Sequence, residues 1–267
     1  QHPKTEDYRN AVFAYRRGDW LAVIDGMTRV LQVEPGALDA YYYIGEANRF
    51  LGKDAEALQA YESALRLNSQ FAPAYLGRAR LRLAQSFTRY WKTAREDLEK
   101  AIQYDPAMGE AYLELGILDN QRGESELAVQ SLDMAEKYLP DSPILQRVYA
   151  QALLALGNDT QAIQRAQKAV QLDITDTTAY RVLAEAYIDQ EDWQAALEPL
   201  KVYTLYHPED LQAWSWQGRA LAGIGEIDAA LDAFDHVLEE DKLNFDVYLL
   251  RGQVYLGTGQ AEEAAAD

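Results

Sequence analysis

Apolar residues recur at spacings of three and four along almost the whole chain, in short runs that predict amphipathic α-helices. The runs come in pairs, and a glycine-centred break such as "RGD", "LGK", "LGN" or "IGE" separates the two members of a pair. A proline follows four of the second runs, at Pro35, Pro106, Pro140 and Pro208, where it would stop a helix. The pattern therefore predicts a series of helical hairpins.

The hairpins recur with a fixed period. Two columns of mostly small residues advance in steps of 34 residues, with a single step of 37 in each column. The first column is Ala11, Gly45, Ala79, Gly116, Ala150, Ala184, Gly218 and Gly252, and the second is Val23, Ala57, Ala94, Ala128, Ala162, Ala196, Ala230 and Ala264. One insertion of three residues between Ala79 and Ala94 explains both longer steps. Such a period is typical of repeat proteins, in which each unit packs only on its neighbours.

A further column is aromatic, and it holds Tyr41, Tyr75, Tyr112, Tyr180, Trp214 and Tyr248. With these columns the chain resembles the tetratricopeptide repeat family. The resemblance implies an all-α fold, a right-handed α-α superhelix that forms one array over residues 1–267, with seven full repeats and a truncated eighth. The expected repeats are 4–37, 38–71, 72–108, 109–142, 143–176, 177–210, 211–244 and 245–267, and positions within a repeat are counted from these first residues.

The resemblance also implies that the first helices line a concave groove, with positions 2, 5, 9, 12 and 13 facing it. These positions hold six acids and six bases, so the net charge of −18 lies outside the groove. Near the N-terminus they combine aromatic rings with arginines, the side chains that dominate binding hot spots. The predicted partner-binding residues are Tyr8, Tyr15, Arg16, Tyr42, Glu46, Arg49, Phe50 and Arg80. The alternative is that these rings pack on the adjoining first helix as core residues.

Some relatives hold the terminal carboxylate of a peptide with lysine and asparagine side chains in their first three repeats. The matching positions here hold Tyr8, Val12, Glu46, Gly77 and Arg80, so the chain is not expected to be a receptor of that type.

A basic segment stands out in this acidic chain, because no Asp or Glu lies between Glu62 and Glu96. Its bases are Arg66, Arg78, Arg80, Arg82, Arg89, Lys92 and Arg95. Arg78 and Arg251 both occupy position 7, and only their repeats carry an aspartate, Asp97 or Asp267, at the matching place in the second helix. This pairing predicts a salt bridge within each of the two repeats.

The three-residue insertion falls in the same segment. We expect it to extend the first helix of the third repeat to about Ser86. The residues that follow, Phe87, Arg89, Tyr90 and Lys92, form a possible second docking patch. The alternative is that these bases offset neighbouring acids and that the rings pack internally.

Composition excludes several classes of function. The 43 acids against 25 bases would repel a phosphate backbone, which disfavours nucleic-acid binding. The chain has no cysteine, and no apolar run approaches the roughly 18 residues that would insert in a membrane. Catalytic and metal-binding motifs are missing, and His2, His207 and His236 have no catalytic neighbourhood. We therefore expect no enzyme activity, no cofactor and no metal.

The sequence predicts a non-catalytic scaffold that binds a peptide segment or a helix of another protein. The alternative is a recruiting arm of a larger enzyme or membrane-tethered protein, because the chain starts at Gln1 and stops at Asp267 within an expected helix. The truncated last repeat is expected to expose apolar surface, through which an otherwise monomeric chain would associate end to end. The compartment stays open: cytoplasmic, or extracytoplasmic if flanking signals were removed.

Overall fold

The computed structural model describes residues 6–267, and over that range it contains sixteen α-helices and no strand. The helices are α1 Glu6–Arg16, α2 Trp20–Val33, α3 Leu38–Phe50, α4 Asp54–Leu67, α5 Ala72–Gln85, α6 Phe87–Tyr104, α7 Gly109–Gln121, α8 Ser125–Glu136, α9 Pro143–Ala155, α10 Asp159–Leu172, α11 Thr177–Asp189, α12 Trp193–Tyr206, α13 Leu211–Gly223, α14 Ile227–Glu240, α15 Phe245–Gly257 and α16 Ala261–Ala266. The all-α prediction is confirmed. Two helices fall in each predicted repeat, while residues 4 and 5 of the first repeat lie outside the described range.

The described chain forms two compact units, one of residues 6–122 with Gln130–Leu139 and one of Gly123–Val129 with Pro140–Asp267. Within each unit, consecutive helices from α1 to α7 and from α9 to α16 pack on each other. Each first helix there also contacts the first helix of the next repeat. Contacts between neighbouring repeats thus build both cores, as expected for a solenoid.

Six hairpin turns carry a glycine with a positive φ between 70° and 86°, as at Gly52 and Gly225. A glycine adopts this left-handed conformation without steric cost, so it ends the first helix at a fixed place. Glu191, with a φ of 56°, takes the same role in the sixth hairpin. The glycine breaks of the sequence are therefore the turns of the fold.

The small residues at position 8 are all buried, and at two of the glycines an aromatic ring of a second helix packs directly on the backbone. The closest example is Tyr61, whose ring lies between Gly45 and Gly77. A Cβ atom at either glycine would come within 2.4 Å of the Tyr61 Cε1 atom. Phe234 packs against Gly218 in the same way, at 2.5 Å. Glycine at position 8 is thus what allows an aromatic ring on the second helix.

Position 4, the predicted aromatic column, joins four of the first helices to the turn before them. Its side chains donate a hydrogen bond to the carbonyl oxygen six residues earlier: Tyr41 to Pro35, Tyr75 to Ser69, Gln146 to Pro140 and Trp214 to Pro208, at 3.0–3.3 Å. Gln146 has no ring and still makes this hydrogen bond, so the side-chain donor at position 4 is used even where the aromatic residue is replaced. This column is therefore structural.

The insertion lengthens the second helix of its repeat more than the first. Helix α5 ends at Gln85, with Ser86 as its C-cap, close to the predicted end. Helix α6, however, has 18 residues, whereas the matching helix α4 has 14. The reason is that the segment lacks a turn glycine, so Ser86 alone joins the two helices. The residues Phe87–Tyr90 form an extra turn of about 6 Å at the start of α6.

The two terminal hairpins differ in the polarity of their faces. In α15, Phe245, Leu249 and Leu256 are 63–75% exposed, in agreement with the predicted apolar surface. At position 3 the first repeat has exposed Glu6, where the later repeats bury an apolar residue such as Ala40. End-to-end association stays a prediction, and a head-to-tail contact would have to bury the Glu6 carboxylate.

Among the residues that the structure describes, none of the helices is both long and apolar enough to cross a membrane.

Candidate functional site

Five of the predicted groove residues line one cavity of about 450 Å³ in the first unit. They are Tyr15, Glu46, Arg49, Phe50 and Arg80, and Leu83 and Glu114 complete the lining. The other three predicted residues are not part of it: Arg16 is exposed, and Tyr8 and Tyr42 are half-buried. Four consecutive repeats thus bring most of the predicted site together.

Glu46 forms the floor of the cavity and is only 1% exposed. Arg49 donates to both of its carboxylate oxygens, from Nε at 3.2 Å and from Nη2 at 2.9 Å. The Tyr61 hydroxyl donates to Glu46 Oε1 at 2.5 Å. Glu46 cannot touch a partner directly, so its role in the site is to fix Arg49.

The protonation states of this network follow from its burial. Burial by itself acts to lower the pKa of the Arg49 guanidinium, but the hydrogen bonds to Glu46 and its charge outweigh this, so the pKa is raised. Burial, together with the Glu46 carboxylate, raises the pKa of the Tyr61 phenol. Arg49 therefore stays charged and Tyr61 stays a hydrogen-bond donor.

Arg80 forms the opposite wall through an ion pair between repeats. Its Nε atom donates to Glu114 Oε1 at 2.7 Å. Arg80 stands at position 9 and Glu114 at position 6 of the next repeat, so the two residues are 34 apart, three fewer than the step of 37 at this insertion. The cavity therefore contains two arginines and two carboxylates, and its charges balance.

Aromatic contacts shape the mouth of the cavity. Phe50 is 49% exposed, and its ring stacks on Trp20 at 4.2 Å with an interplanar angle of 6°. The Arg49 guanidinium lies 4.3 Å from the Phe50 centroid. Tyr15 packs edge-on against Tyr43 at 5.1 Å. Some of the rings thus pack on the adjoining repeat, as expected if they were core residues. Phe50 differs, because about half of its surface stays exposed.

The two predicted tyrosines outside the lining pack on Tyr43. The Tyr8 and Tyr42 rings lie 6.3 Å and 5.7 Å from Tyr43. Burial is the main cause that raises the pKa of Tyr42 and of Tyr8. These two rings support the shape of the site from behind.

The basic segment divides into structural and exposed residues. Arg78 donates to Asp97 from Nε at 2.9 Å and from Nη2 at 2.7 Å, which confirms the predicted bridge. Arg251 also reaches Asp267, with Nε at 2.9 Å. Arg82 donates to the same buried Asp97 at 2.5 Å. These arginines hold helices of one repeat together.

The predicted second patch lies on the extra turn of α6. Phe87 packs on the core of the third repeat, while Arg89 and Lys92 are exposed. The Arg89 guanidinium lies 5.1 Å from the Tyr90 ring. Within residues 6–267, no carboxylate lies at ion-pair distance from Arg89 or Lys92. Arg66 on α4 is likewise exposed and has no ion pair in the described chain, so three of the segment's bases are available to a partner, and two of them belong to the predicted patch.

Four residues of the site are absent from the predicted set, namely Trp20, Tyr61, Leu83 and Glu114, although Leu83 does fall on groove position 12. Tyr61 lies on a second helix, and its hydroxyl reaches Glu46 only because Gly45 and Gly77 leave room for the ring. Glu114 could have been found from the sequence, because it places an acid at position 6 of the repeat that follows the base at position 9, Arg80. Trp20 could have been found by its match to Trp91 and Trp193 at the start of other second helices.

Histidines and acids form no cluster of three or more that could hold a metal ion within the described part of the chain. His207 and Thr177 share a hydrogen bond at 2.7 Å, and the His207 ring stacks on Tyr203 at 4.6 Å. His2 lies outside the described residues.

Comparison with known proteins gives a consistent result. A family model described as tetratricopeptide repeat matches residues 8–73, 76–143, 121–177, 181–244 and 217–267. Heat shock protein sti1 homolog of Schizosaccharomyces pombe is 30% identical over 104 residues, which are 39% of this chain and 17% of that protein. DnaJ homolog subfamily C member 3 homolog of Dictyostelium discoideum is 23% identical over 202 residues, or 74% of this chain and 35% of that protein. The aligned residues thus span only a minor part of each relative.

A solved structure of pilF from Pseudomonas aeruginosa matches with a TM-score of 0.70 at 16% identity. It covers 81% of this chain and 97% of the pilF chain, and at this identity the likeness shows the fold alone. The family matches, in contrast, run through all eight hairpins. The chain therefore belongs to the tetratricopeptide repeat family.

Proposed function

We propose that this chain is a non-catalytic scaffold that binds a peptide segment or a helix of another protein, with the cavity between Tyr15 and Glu114 as its contact site. Tetratricopeptide repeat proteins generally mediate protein–protein interactions, and they are typically non-catalytic. The observation that carries the choice of site is the cavity itself, which brings a half-exposed aromatic ring and two fixed arginines together.

The cavity is organised before a partner arrives. Arg49 is held by Glu46 and Arg80 by Glu114, so little side-chain freedom is lost on binding. Both Nη atoms of Arg80 donate no hydrogen bond to the described residues, because its bond to Glu114 comes from Nε. Because the charges balance, these donors suit neutral acceptors such as the carbonyl groups of a bound segment. Phe50 offers the apolar contact beside them.

Phe50→Glu is expected to abolish capture of the partner, because it places a carboxylate where an apolar contact is needed. The matched control is Leu67→Glu, which ends the second helix of the same repeat. Leu67 is 54% exposed, close to the 49% of Phe50, and it also follows an arginine. The measurement is quantitative mass spectrometry of proteins captured from native cells by the wild type and by the two variants.

The expected result is a set of captured proteins that Phe50→Glu loses and Leu67→Glu keeps. Equal capture by the wild type and Phe50→Glu would show that partners bind elsewhere. Melting curves of both variants separate loss of the site from loss of the fold.

The extra turn of α6 is the second proposed surface, with Phe87, Arg89, Tyr90 and Lys92. Its basis is two exposed bases without an ion pair on a chain of net charge −18. The double variant Arg89→Glu/Lys92→Glu belongs in the same capture experiment. Loss of an acidic partner would support this surface, and unchanged capture would leave these residues a purely structural role.

The same contacts would serve a recruiting arm within a larger enzyme or membrane-tethered protein. That alternative differs only in whether further domains are joined to the repeats in the same polypeptide. The full-length reading frame tests it. A catalytic or anchoring segment joined to these repeats would favour the recruiting arm.

A further inference from the structure

A second cavity, of about 480 Å³, lies in the second unit between repeats six and eight. Most of its wall is apolar, from Trp193, Ile227, Phe234, Leu250 and Val254. The polar lining includes Arg219, which is half-buried. Unlike the first cavity, it was not predicted from the sequence.

The two cavities occupy equivalent places in the repeat. Each is lined by residues at positions 9, 12 and 13 of one repeat and by position 9 of the next or neighbouring repeat. Arg80 and Arg219 both stand at position 9. Within the cavity Arg219 takes the place of Glu46, so Arg80 is a reference for the repeat position of Arg219 and not for its place in the cavity.

The reference shows what Arg219 lacks. Arg80 pairs with Glu114 at position 6 of the following repeat, whereas the residue at that position after Arg219 is Leu250. Within the described chain, no carboxylate lies at ion-pair distance from Arg219, and its guanidinium rests 5.4 Å from the Trp193 ring. The charge of Arg219 does reach Asp189, where it acts to lower a pKa that burial raises overall.

Small residues keep this cavity open. Positions 12 and 13 hold Ala222 and Gly223, where the first cavity has Arg49 and Phe50. Trp193 packs directly on Gly223, since a Cβ atom there would lie 2.4 Å from the Trp193 ring. A bulky apolar side chain of a partner can therefore enter the space that Ala222 and Gly223 leave unfilled.

We propose that this cavity binds a segment of another protein in which an acidic residue adjoins a bulky apolar residue. The acidic side chain pairs with Arg219, as Glu114 pairs with Arg80 in the first cavity. The apolar side chain fills the space between Trp193, Phe234 and Leu250. A half-buried guanidinium with no carboxylate at ion-pair distance gains most from a charged acceptor, so a carboxylate is preferred over an amide. This site goes beyond the proposed first cavity and is independent of it.

The test begins with a peptide array in which every pair of adjacent amino acids is flanked by glycine and serine. Labelled protein is expected to select pairs of Asp or Glu with Leu, Ile, Met, Phe or Trp. The best acidic peptide and its amide counterpart are then compared in solution by fluorescence anisotropy. We expect the acidic peptide to bind about tenfold more tightly, the scale of one charge-assisted hydrogen bond.

Two variants assign that preference to the cavity. Arg219→Gln should bind the acidic and amide peptides equally. Leu250→Glu should supply the missing carboxylate internally and weaken binding of the acidic peptide, whereas the size-matched control Leu250→Met should not. Melting curves check the fold, and if Leu250→Glu does not fold, the Arg219→Gln comparison decides alone.

Three results would overturn the proposal. The first is that no acidic-apolar pair is selected, and the second is that the preference for the acid survives in Arg219→Gln. The third is concentration-dependent self-association that Arg219→Gln removes, because a second copy of the chain would then be the occupant. None of these results affects the test at Phe50.

Discussion

Arg49→Ala is expected to destabilise the second hairpin by about 3–5 kcal/mol, the cost of leaving a buried carboxylate without its partner. Glu46 is 1% exposed, and in the described chain Arg49 is its one ion-pair partner. The Tyr61 hydroxyl would remain, but a neutral donor cannot replace the charge. Hydrogen exchange of the α3 and α4 amides measures the effect, with an expected rate increase of two orders of magnitude or more, taking about 1.4 kcal/mol per tenfold change.

A double variant separates the buried charge from lost packing. Glu46→Gln/Arg49→Ala removes both charges and should be less destabilised than Arg49→Ala alone. Arg66→Ala is the matched control, because Arg66 lies in the last turn of the other helix of the same repeat and is exposed. If Arg49→Ala exchanges no faster than Arg66→Ala, the buried pair does not stabilise the hairpin.

Gly45→Ala and Gly252→Ala are expected to change stability in opposite directions, although both glycines occupy position 8. At Gly45 a Cβ atom would come within 2.4 Å of the Tyr61 ring, which Gly77 and Glu46 hold in place. Overpacking of this kind costs about 1–3 kcal/mol. At Gly252 the nearest atom is the Ala264 carbonyl oxygen at 3.7 Å, so alanine should stabilise α15 by about 0.5–1 kcal/mol.

Denaturant unfolding of both variants tests this contrast, and hydrogen exchange localises it to α3–α4 or to α15–α16. Adding Tyr61→Leu to Gly45→Ala should recover part of the lost stability, because the ring that clashes is then gone. Equal effects of the two glycine substitutions would show that the ring does not restrict position 8.

The sequence predicted the hairpins and their period because the repeat imposes the same columns many times. The bridge from Arg78 to Asp97 could be predicted for the same reason, since a second repeat carries the same departure from the pattern at Arg251 and Asp267. At these positions, comparing the repeats of the chain with one another was enough to predict the contact. The groove residues that line the first cavity followed from the position rule of the family.

Features that depend on several helices at once were not predictable in this way. The position rule places Glu46 in the groove, but its burial depends on Tyr61 passing between Gly45 and Gly77 on two different helices. The insertion was assigned to the first helix, because its three residues fit either helix and only the missing turn glycine decides. The proposal for the second cavity rests on the lack of an ion-pair partner for Arg219. That lack is recognised only by comparison with the pair of Arg80 and Glu114.

Photo-crosslinking from the cavity mouth tests the central claim, contact of a partner with the first cavity, most directly. A photoreactive phenylalanine analogue is placed at position 50 in one variant and at position 67 in another, and both are irradiated in native cells. The account predicts a specific crosslinked protein from position 50 and none from position 67. A partner crosslinked from position 67 but not from position 50 would contradict it.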